Sequence, residues 1–315
     1  MSYVVHGATL ALAWFLATNV VLSLAVAALA GRAGRSVTLS LVLRLLPATA
    51  SAAFVVGVFI PSYWRFEPRE ITEGFDLTMT MLAAGAAVLI IGSCARGAVA
   101  WRRAVCRAQT WTASAEPFMS HVDGMPAFRV DAPQPVMALV GILRPRLFVT
   151  RGLIDALTPE ELAASIAHEA GHYHAWDNLK RLAMLGAPDV LRWTTTAHRL
   201  EHRWAAAAEH RADAAAADAS GCAARLDLAS ALVKVARLMP EATPIAEPMS
   251  TLVGGNEIAA RVQRLIDDDA ARAVPRGGHP ARWAAAVAIA VLAFGYAPLL
   301  ETVNAATEIL VHYLP

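Results

Sequence analysis

The chain has 315 residues, 57% of them hydrophobic, and a mean hydropathy of +0.45, which is too apolar for an ordinary soluble domain of this length. Lys and Arg total 27 against 26 Asp and Glu; the net charge of +1 offers no basic surplus, so no nucleic-acid partner is expected. Cys94, Cys106 and Cys222 lack metal-ligand spacing, exclude a disulfide scaffold and fit a reducing compartment.

Four windows are long and apolar enough to cross a bilayer: 7–30, 37–60, 77–95 and 283–300. The first lacks a basic start and a small-residue cleavage site, so it reads as an anchor rather than a removable signal peptide. The second contains Pro47 and a single charge, Arg44, close enough to one end to snorkel. Arg32 and Arg35 follow the first span, Arg96, Arg102, Arg103 and Arg107 follow the third, and Arg272, Arg276 and Arg282 precede the fourth. The loop between the second and third spans balances Arg65 and Arg69 with Glu67, Glu70, Glu73 and Asp76. The positive-inside rule therefore puts both termini outside and residues 96–282 in the cytoplasm. Tyr63 and Trp64 on one side and Trp101 on the other suit interfacial belts.

After the third span the pattern shortens. Residues 127–131, 136–142 and 146–150 read as strands separated by Pro-containing turns, a small sheet whose edge suits an extended peptide. A helix then announces itself at Thr158-Pro159-Glu160-Glu161, with a capping threonine, proline in the first turn and a glutamate three residues after the cap. Leu162, Ile166 and the alanines give it an apolar back.

That helix carries His168-Glu169-Ala170-Gly171-His172. Histidines four apart differ by roughly 40° around a helix and ~6 Å along it, so both imidazoles reach one tetrahedral metal. Glu169, beside them, is placed to act as a general base toward a water at the open position. A lone histidine here would read as a satisfied structural group; two with an intervening glutamate at this spacing read as a Zn²⁺ site. A metzincin-type third histidine is absent, since that position is Asn178. Instead, Glu209 and Asp213 lie one turn apart in a helical stretch over 196–220. Glu209 can complete the ligand set, and Asp213 can accept a hydrogen bond from a ligand imidazole. His202, two turns before Glu209, is a candidate to stabilise the developing oxyanion, and His174 and His198 are further ones. Residues 223–238 and 256–267 read as amphipathic helices, with a Pro-containing loop over 239–249.

The run Leu143-Arg-Pro-Arg-Leu-Phe-Val-Thr-Arg-Gly-Leu153, then Thr158-Pro-Glu-Glu-Leu162, His168 to His172 and Asp177-Asn178 resembles the integral-membrane gluzincins. The nearest types are the BlaR/MecR antirepressor peptidases and the related HtpX and CAAX-prenyl-protease group, over residues 125–267. The resemblance implies His168, His172 and Glu209 as zinc ligands, Glu169 as base and Asp213 as support. It also makes Arg261 a candidate transition-state stabiliser, although the His-Pro pair that precedes this arginine in HtpX-like enzymes is replaced by Gly254, Gly255 and Asn256. Only residues 301–315 follow the last window, so the large external penicillin-binding domain of the antirepressor sensors is not expected.

The expected architecture is a membrane α-helical protein with four transmembrane helices and a cytoplasmic α+β, zincin-like metalloprotease domain. Its segments are a membrane region over 1–100, the protease domain over 101–282, a fourth span over 283–300 and a short external tail over 301–315. The expected activity is zinc-dependent hydrolysis of peptide bonds in a protein or peptide substrate, in the inner membrane of a bacterial-type cell. Cleavage of a transcriptional repressor and membrane-protein quality control both fit. A zinc-bearing interaction module has no use for Glu169, and a transporter does not fit spans whose only charge is Arg44.

Overall fold

The computed structural model describes residues 3–32, 36–69, 77–122, 124–220, 222–238, 250–251, 258–267 and 296–311. Three of its helices are long and apolar enough to cross a membrane: α1 (Tyr3–Leu29), the rod Val37–Phe66, and α4 (Leu77–Ala113). The rod consists of α2 (Val37–Phe54), a π-helical turn Val55–Phe59 and α3 (Ile60–Phe66). Ser36 caps it by accepting a hydrogen bond from the Leu39 N–H at 3.3 Å. Most of the expected fourth span, residues 283–295, lies outside the described residues. Residues 296–311 are helical, where the sequence suggests the end of a span and a tail. This helix packs on the bundle: Ser62 Oγ donates to Leu300 O (2.7 Å), and Trp14 Nε1 donates to Thr307 Oγ1 (3.1 Å).

α4 continues past the expected end of its span to Ala113, so the boundary placed at residue 100 falls inside a helix. No Pro interrupts its basic stretch, and Gly97 lies inside the helix rather than ending it. Its last turns cover one face of the sheet, with the Trp111 ring edge-on to Phe148 at 5.4 Å.

The sheet runs β1-β2-β4-β3-β5, with β1 (Ala115–Val122), β2 (Met125–Val130), β3 (Met137–Val140), β4 (Arg146–Thr150) and β5 (Ser250–Thr251). β2 and β4 are parallel; the other neighbours are antiparallel. β3 and β4 are apolar at successive positions because both faces are covered. Met137, Leu139, Leu147 and Val149 face the helical core, whereas Ala138, Val140 and Phe148 face the end of α4. β1, unforeseen in the sequence, is an edge strand with Pro117 at a register shift, where a missing N–H is tolerated. The β3 side of the sheet is met by β5, with Ala138 opposite Thr251 and Leu139 opposite Ser250.

Helices α5 (Arg151–Ala156), α6 (Pro159–His174), α7 (Asp177–Gly186), α8 (Thr195–Ser220), α9 (Cys222–Leu238) and α10 (Ile258–Ile266) complete the domain. A 3₁₀ turn, Val190–Trp193, joins α7 to α8.

Two residues of the long apolar helices depart from expectation. Arg44 does not snorkel: it is buried, with Nη1 2.8 Å from Asp189 and Nε 2.6 Å from Glu201, because protein carboxylates rather than headgroups neutralise it. Tyr63 is buried too, donating its hydroxyl to Tyr3 O at 2.9 Å, whereas Trp64 beside it is exposed.

Candidate metal centre

α6 begins with a complete capping box: Glu161 N–H donates to Thr158 Oγ1 (3.3 Å), and Thr158 N–H donates to the Glu161 carboxylate (2.9 Å). Glu161 also accepts from Ser230 (2.6 Å) and Lys234 (2.7 Å), tying the start of α6 to α9. Burial would raise the Glu161 pKa, but these hydrogen bonds outweigh it and hold the carboxyl below its usual range.

Two turns on, His168, Glu169 and His172 are fully buried. They face α8, which crosses close above them because Gly171 has no side chain; a Cβ there would stand 3.1 Å from Ala212 Cα. The close approach brings Glu209 and Asp213, on either side of Ala212, onto the histidines. Glu209 Oε2 lies 3.5 Å from His168 Nε2, and Glu209 Oε1 lies 3.5 Å from His172 Nε2. The three residues offer ligand atoms all within 4.8 Å of one another. Tetrahedral zinc with bonds of about 2.0–2.1 Å separates its ligand atoms by about 3.4 Å, so this trio fits zinc with little adjustment.

The far sides of both rings are held by carboxylates. Asp177 Oδ2 is 2.7 Å from His172 Nδ1, a hydrogen bond that leaves Nε2 facing the centre. Asp213 Oδ1 is 3.0 Å from His168 Nδ1, a charge contact that is not aligned as a hydrogen bond. The acids are held in turn: Arg211 Nη2 donates to both Asp177 oxygens (2.8 and 2.6 Å), and Arg261 Nη2 donates to Asp213 Oδ1 (2.7 Å). Arg261 Nη1 also stands 3.0 Å from Glu209 Oε2.

Burial alone would lower the His172 pKa, but the hydrogen bond to Asp177 and the neighbouring Glu209 carboxylate override it and carry the imidazole up to about 9. The reverse holds for Asp213, which burial would raise but which His168 and the Arg261 charge bring down to about 2. Glu209 is likewise held well below the usual carboxylate range by the two histidines and Arg261. Glu169 moves the other way: its burial outweighs the nearby imidazoles and raises its pKa. Both its oxygens, like His172 Nε2, are buried without a hydrogen-bond partner, so the site contains polar atoms suited to a ligand.

The structure thus gathers His168, Glu169, His172, Glu209, Asp213 and Arg261. His174, His198 and His202 are exposed on their helices. Two further partners have no role in the sequence reading: Asp177, which enters there only through the family resemblance, and Arg211. Asp177 is placed by Trp176, whose left-handed backbone (φ 58°) ends α6 and starts α7 at once, turning the acid back onto His172. The available signal was an acid five residues beyond the second histidine. Its neighbour Asn178 donates to Leu139 O and Gly141 O, both at 2.9 Å, and so fixes α7 to β3.

Residues 123–239 match the model of peptidase family M48. The match supports a metallopeptidase of that family, whose members are typically zinc-dependent, and it includes every residue of the centre except Arg261. None of the curated proteins matches the chain.

Proposed function

We propose that the protein is a zinc-dependent, membrane-embedded endopeptidase that hydrolyses peptide bonds in cytoplasmic or membrane protein substrates. The observation that carries this reading is the convergence of His168, His172 and Glu209 ligand atoms beside a buried, unpaired Glu169 carboxylate. A structural zinc site needs only the ligands; burying a further acid without partners is costly and calls for a use.

When bound, zinc supplies a Lewis acid that polarises the scissile carbonyl and acidifies the attacking water. Glu169 takes the proton from that water at a carboxylate oxygen and returns it to the leaving amine nitrogen. Its raised pKa makes it a stronger base than an exposed glutamate. Asp177 and Asp213 hold the Nδ1 sides of the rings, which keeps the Nε2 atoms turned inward. Arg261, with Nη1 3.0 Å from Glu209, is the candidate donor to the developing oxyanion, and the exposed His202 is not.

The zinc domain lies on the cytoplasmic side of a bacterial-type inner membrane, with four spans and both termini outside, as the arginine distribution favours. The relation to the BlaR/MecR and HtpX types rests on the run from Leu143 to Leu153, on Thr158 to Leu162, on His168 to His172 and on Asp177-Asn178. It favours either regulated cleavage of a repressor or membrane-protein quality control.

The test is Glu169→Gln. Zinc content and folding should be retained, while cleavage of a protein substrate or self-cleavage should fall by roughly 10²- to 10⁴-fold. A variant with full zinc and full activity would overturn the enzyme reading in favour of a zinc-bearing interaction module.

A further inference from the structure

We infer that Asn19 and Arg44, in the membrane helices, are positioning residues for the metal centre and act through the hairpin formed by α7 and α8. The inference rests on the zinc reading above. Both arms of this hairpin end in the site: α7 opens with Asp177, which holds His172, and α8 carries Glu209 and Asp213. Its turn is wedged among the three membrane helices.

Each of those helices grips it differently. From α1, Asn19 is fully buried; its Nδ2 donates to Pro188 O (3.0 Å) and Pro47 O (3.3 Å), and its Oδ1 accepts from Val190 N–H (3.0 Å). This contact lies about 15 Å of helix from the Leu29 end of α1, so the turn penetrates deep into the bundle. From α2, Arg44 spreads one guanidinium over three groups: Nη1 to Asp189 (2.8 Å), Nε to Glu201 (2.6 Å) and Nη2 to Met184 O (3.0 Å). It thereby clamps the end of α7, the turn and the first half of α8 together. From α4, Gly97 meets Gly186 so closely that a Cβ on either would stand 3.5–3.6 Å from the other's Cα. Around these polar contacts Val190 packs with Phe15, Val55, Ala86 and Leu89.

Apolar side chains would hold two helices together at least as well as a buried ion pair does. Polar groups inside membrane helices are expensive, and what Asn19 and Arg44 add is geometric definition. Each of their hydrogen bonds goes to the hairpin or to the helix packed beside it. Glu201 and Glu209 share the continuous helix α8, about 12 Å apart along its axis, so an axial shift at Glu201 reaches Glu209 undiminished. The ligand set thus joins two separately anchored parts. The histidines ride on α6, which packs on α8, α9 and the sheet, whereas Glu209 rides on a helix whose first half lies against α2.

The experiment uses the full chain in lipid nanodiscs. Two lesions are compared: Asn19→Leu, and the triple substitution Arg44→Met, Asp189→Asn, Glu201→Gln, which removes the clamp without stranding a buried charge. Ser62→Ala, equally buried but at the other end of the bundle, is the control. Zinc affinity is measured by chelator competition, and ligand geometry from the visible spectrum of the Co²⁺-substituted protein. Both lesions should weaken zinc by roughly tenfold or more and alter the cobalt bands, as loss of an outer support does. Ser62→Ala should change neither. Wild-type affinity and spectrum in both lesions, or an equal loss in Ser62→Ala, would overturn the inference; if the triple variant does not fold, Asn19→Leu decides. Unchanged zinc in His172→Ala would instead overturn the metal-site reading itself.

Discussion

Removing the Asp177 carboxylate tests how far the metal centre depends on the groups behind its ligands. Asp177 is fully buried, touches His172 Nδ1 at 2.7 Å and is held by Arg211 at 2.6 Å. Outer partners of metal-bound histidines are worth about 10- to 100-fold in affinity, or about 1.4–2.7 kcal/mol. The structure places two substitutions at opposite ends of that range. Asp177→Asn keeps a carbonyl that still accepts from His172, and should cost about tenfold. Asp177→Ala leaves the ring without a partner and should approach 100-fold. Neither strands Arg211, whose side chain is 35% exposed and can turn to water, and His172 keeps Glu209 beside its Nε2. Folding should therefore survive, and chelator competition at fixed pH, run beside thermal unfolding, separates metal loss from general damage. An Asp177→Ala protein that binds zinc as tightly as wild type would show that packing alone orients His172, refuting the argument.

Further outcomes follow from the same contacts. Glu161→Gln should lower stability by about 1–3 kcal/mol at neutral pH, because one charge-assisted hydrogen bond set joins the cap of α6 to α9. The folded pKa of Glu161 lies below its ordinary 4.5, so its contribution is complete above about that pH and fades as the pH falls through the lower folded value. Thermal melts at pH 7 and at low pH should show the wild-type advantage shrinking in acid; a constant difference would contradict the assignment. For topology, a cysteine near Ala115 should resist an impermeant reagent in intact cells, whereas one near Ser2 should react. Labelling at Ala115 would reverse the orientation proposed for the zinc domain.

Much of the site was legible because it is local. The spacing of His168 and His172, the Thr158 cap and the helical pairing of Glu209 with Asp213 all depend on the geometry of single helices, which periodicity reveals. Strands β2 to β4 were visible as short apolar runs between turns. What escaped depends on contacts distant in sequence. β1 mixes Glu116, Ser120 and His121 with apolar residues and carries a proline, so no clear alternation signals a strand until β2 pairs with it. Arg44 read as a snorkelling residue because its partners, Asp189 and Glu201, are 145 and 157 positions away. The role of Asp177 escaped because it needs the left-handed turn at Trp176, a conformation that tryptophan rarely adopts and its sequence does not announce. The extension of α4 beyond its span escaped for another reason: hydropathy marks where a helix leaves the bilayer, and α4 outlasts its apolar stretch.

The charges around the centre lead to the last prediction. Glu169, Glu209, Asp177 and Asp213 surround two imidazoles, and Arg261 is the deeply buried arginine set against them. A carboxylate-rich, dry setting favours any positive charge placed at the imidazoles, whether a proton or a divalent ion. The proton is favoured enough to lift the His172 pKa to about 9. Zinc must displace that proton, because a metal ligand is a neutral imidazole. Each pH unit below the raised pKa therefore costs the metal about 1.4 kcal/mol of proton competition. Zinc affinity should rise roughly tenfold or more per pH unit from about pH 7 toward 9, more steeply where His168, whose pKa is also raised, is charged as well, and level off above the folded values. Potentiometric or chelator titration across that range measures the slope directly. A flat profile would mean that His172 is already neutral at pH 7, and that its bond to Asp177 holds the ring's direction without raising its affinity for a proton.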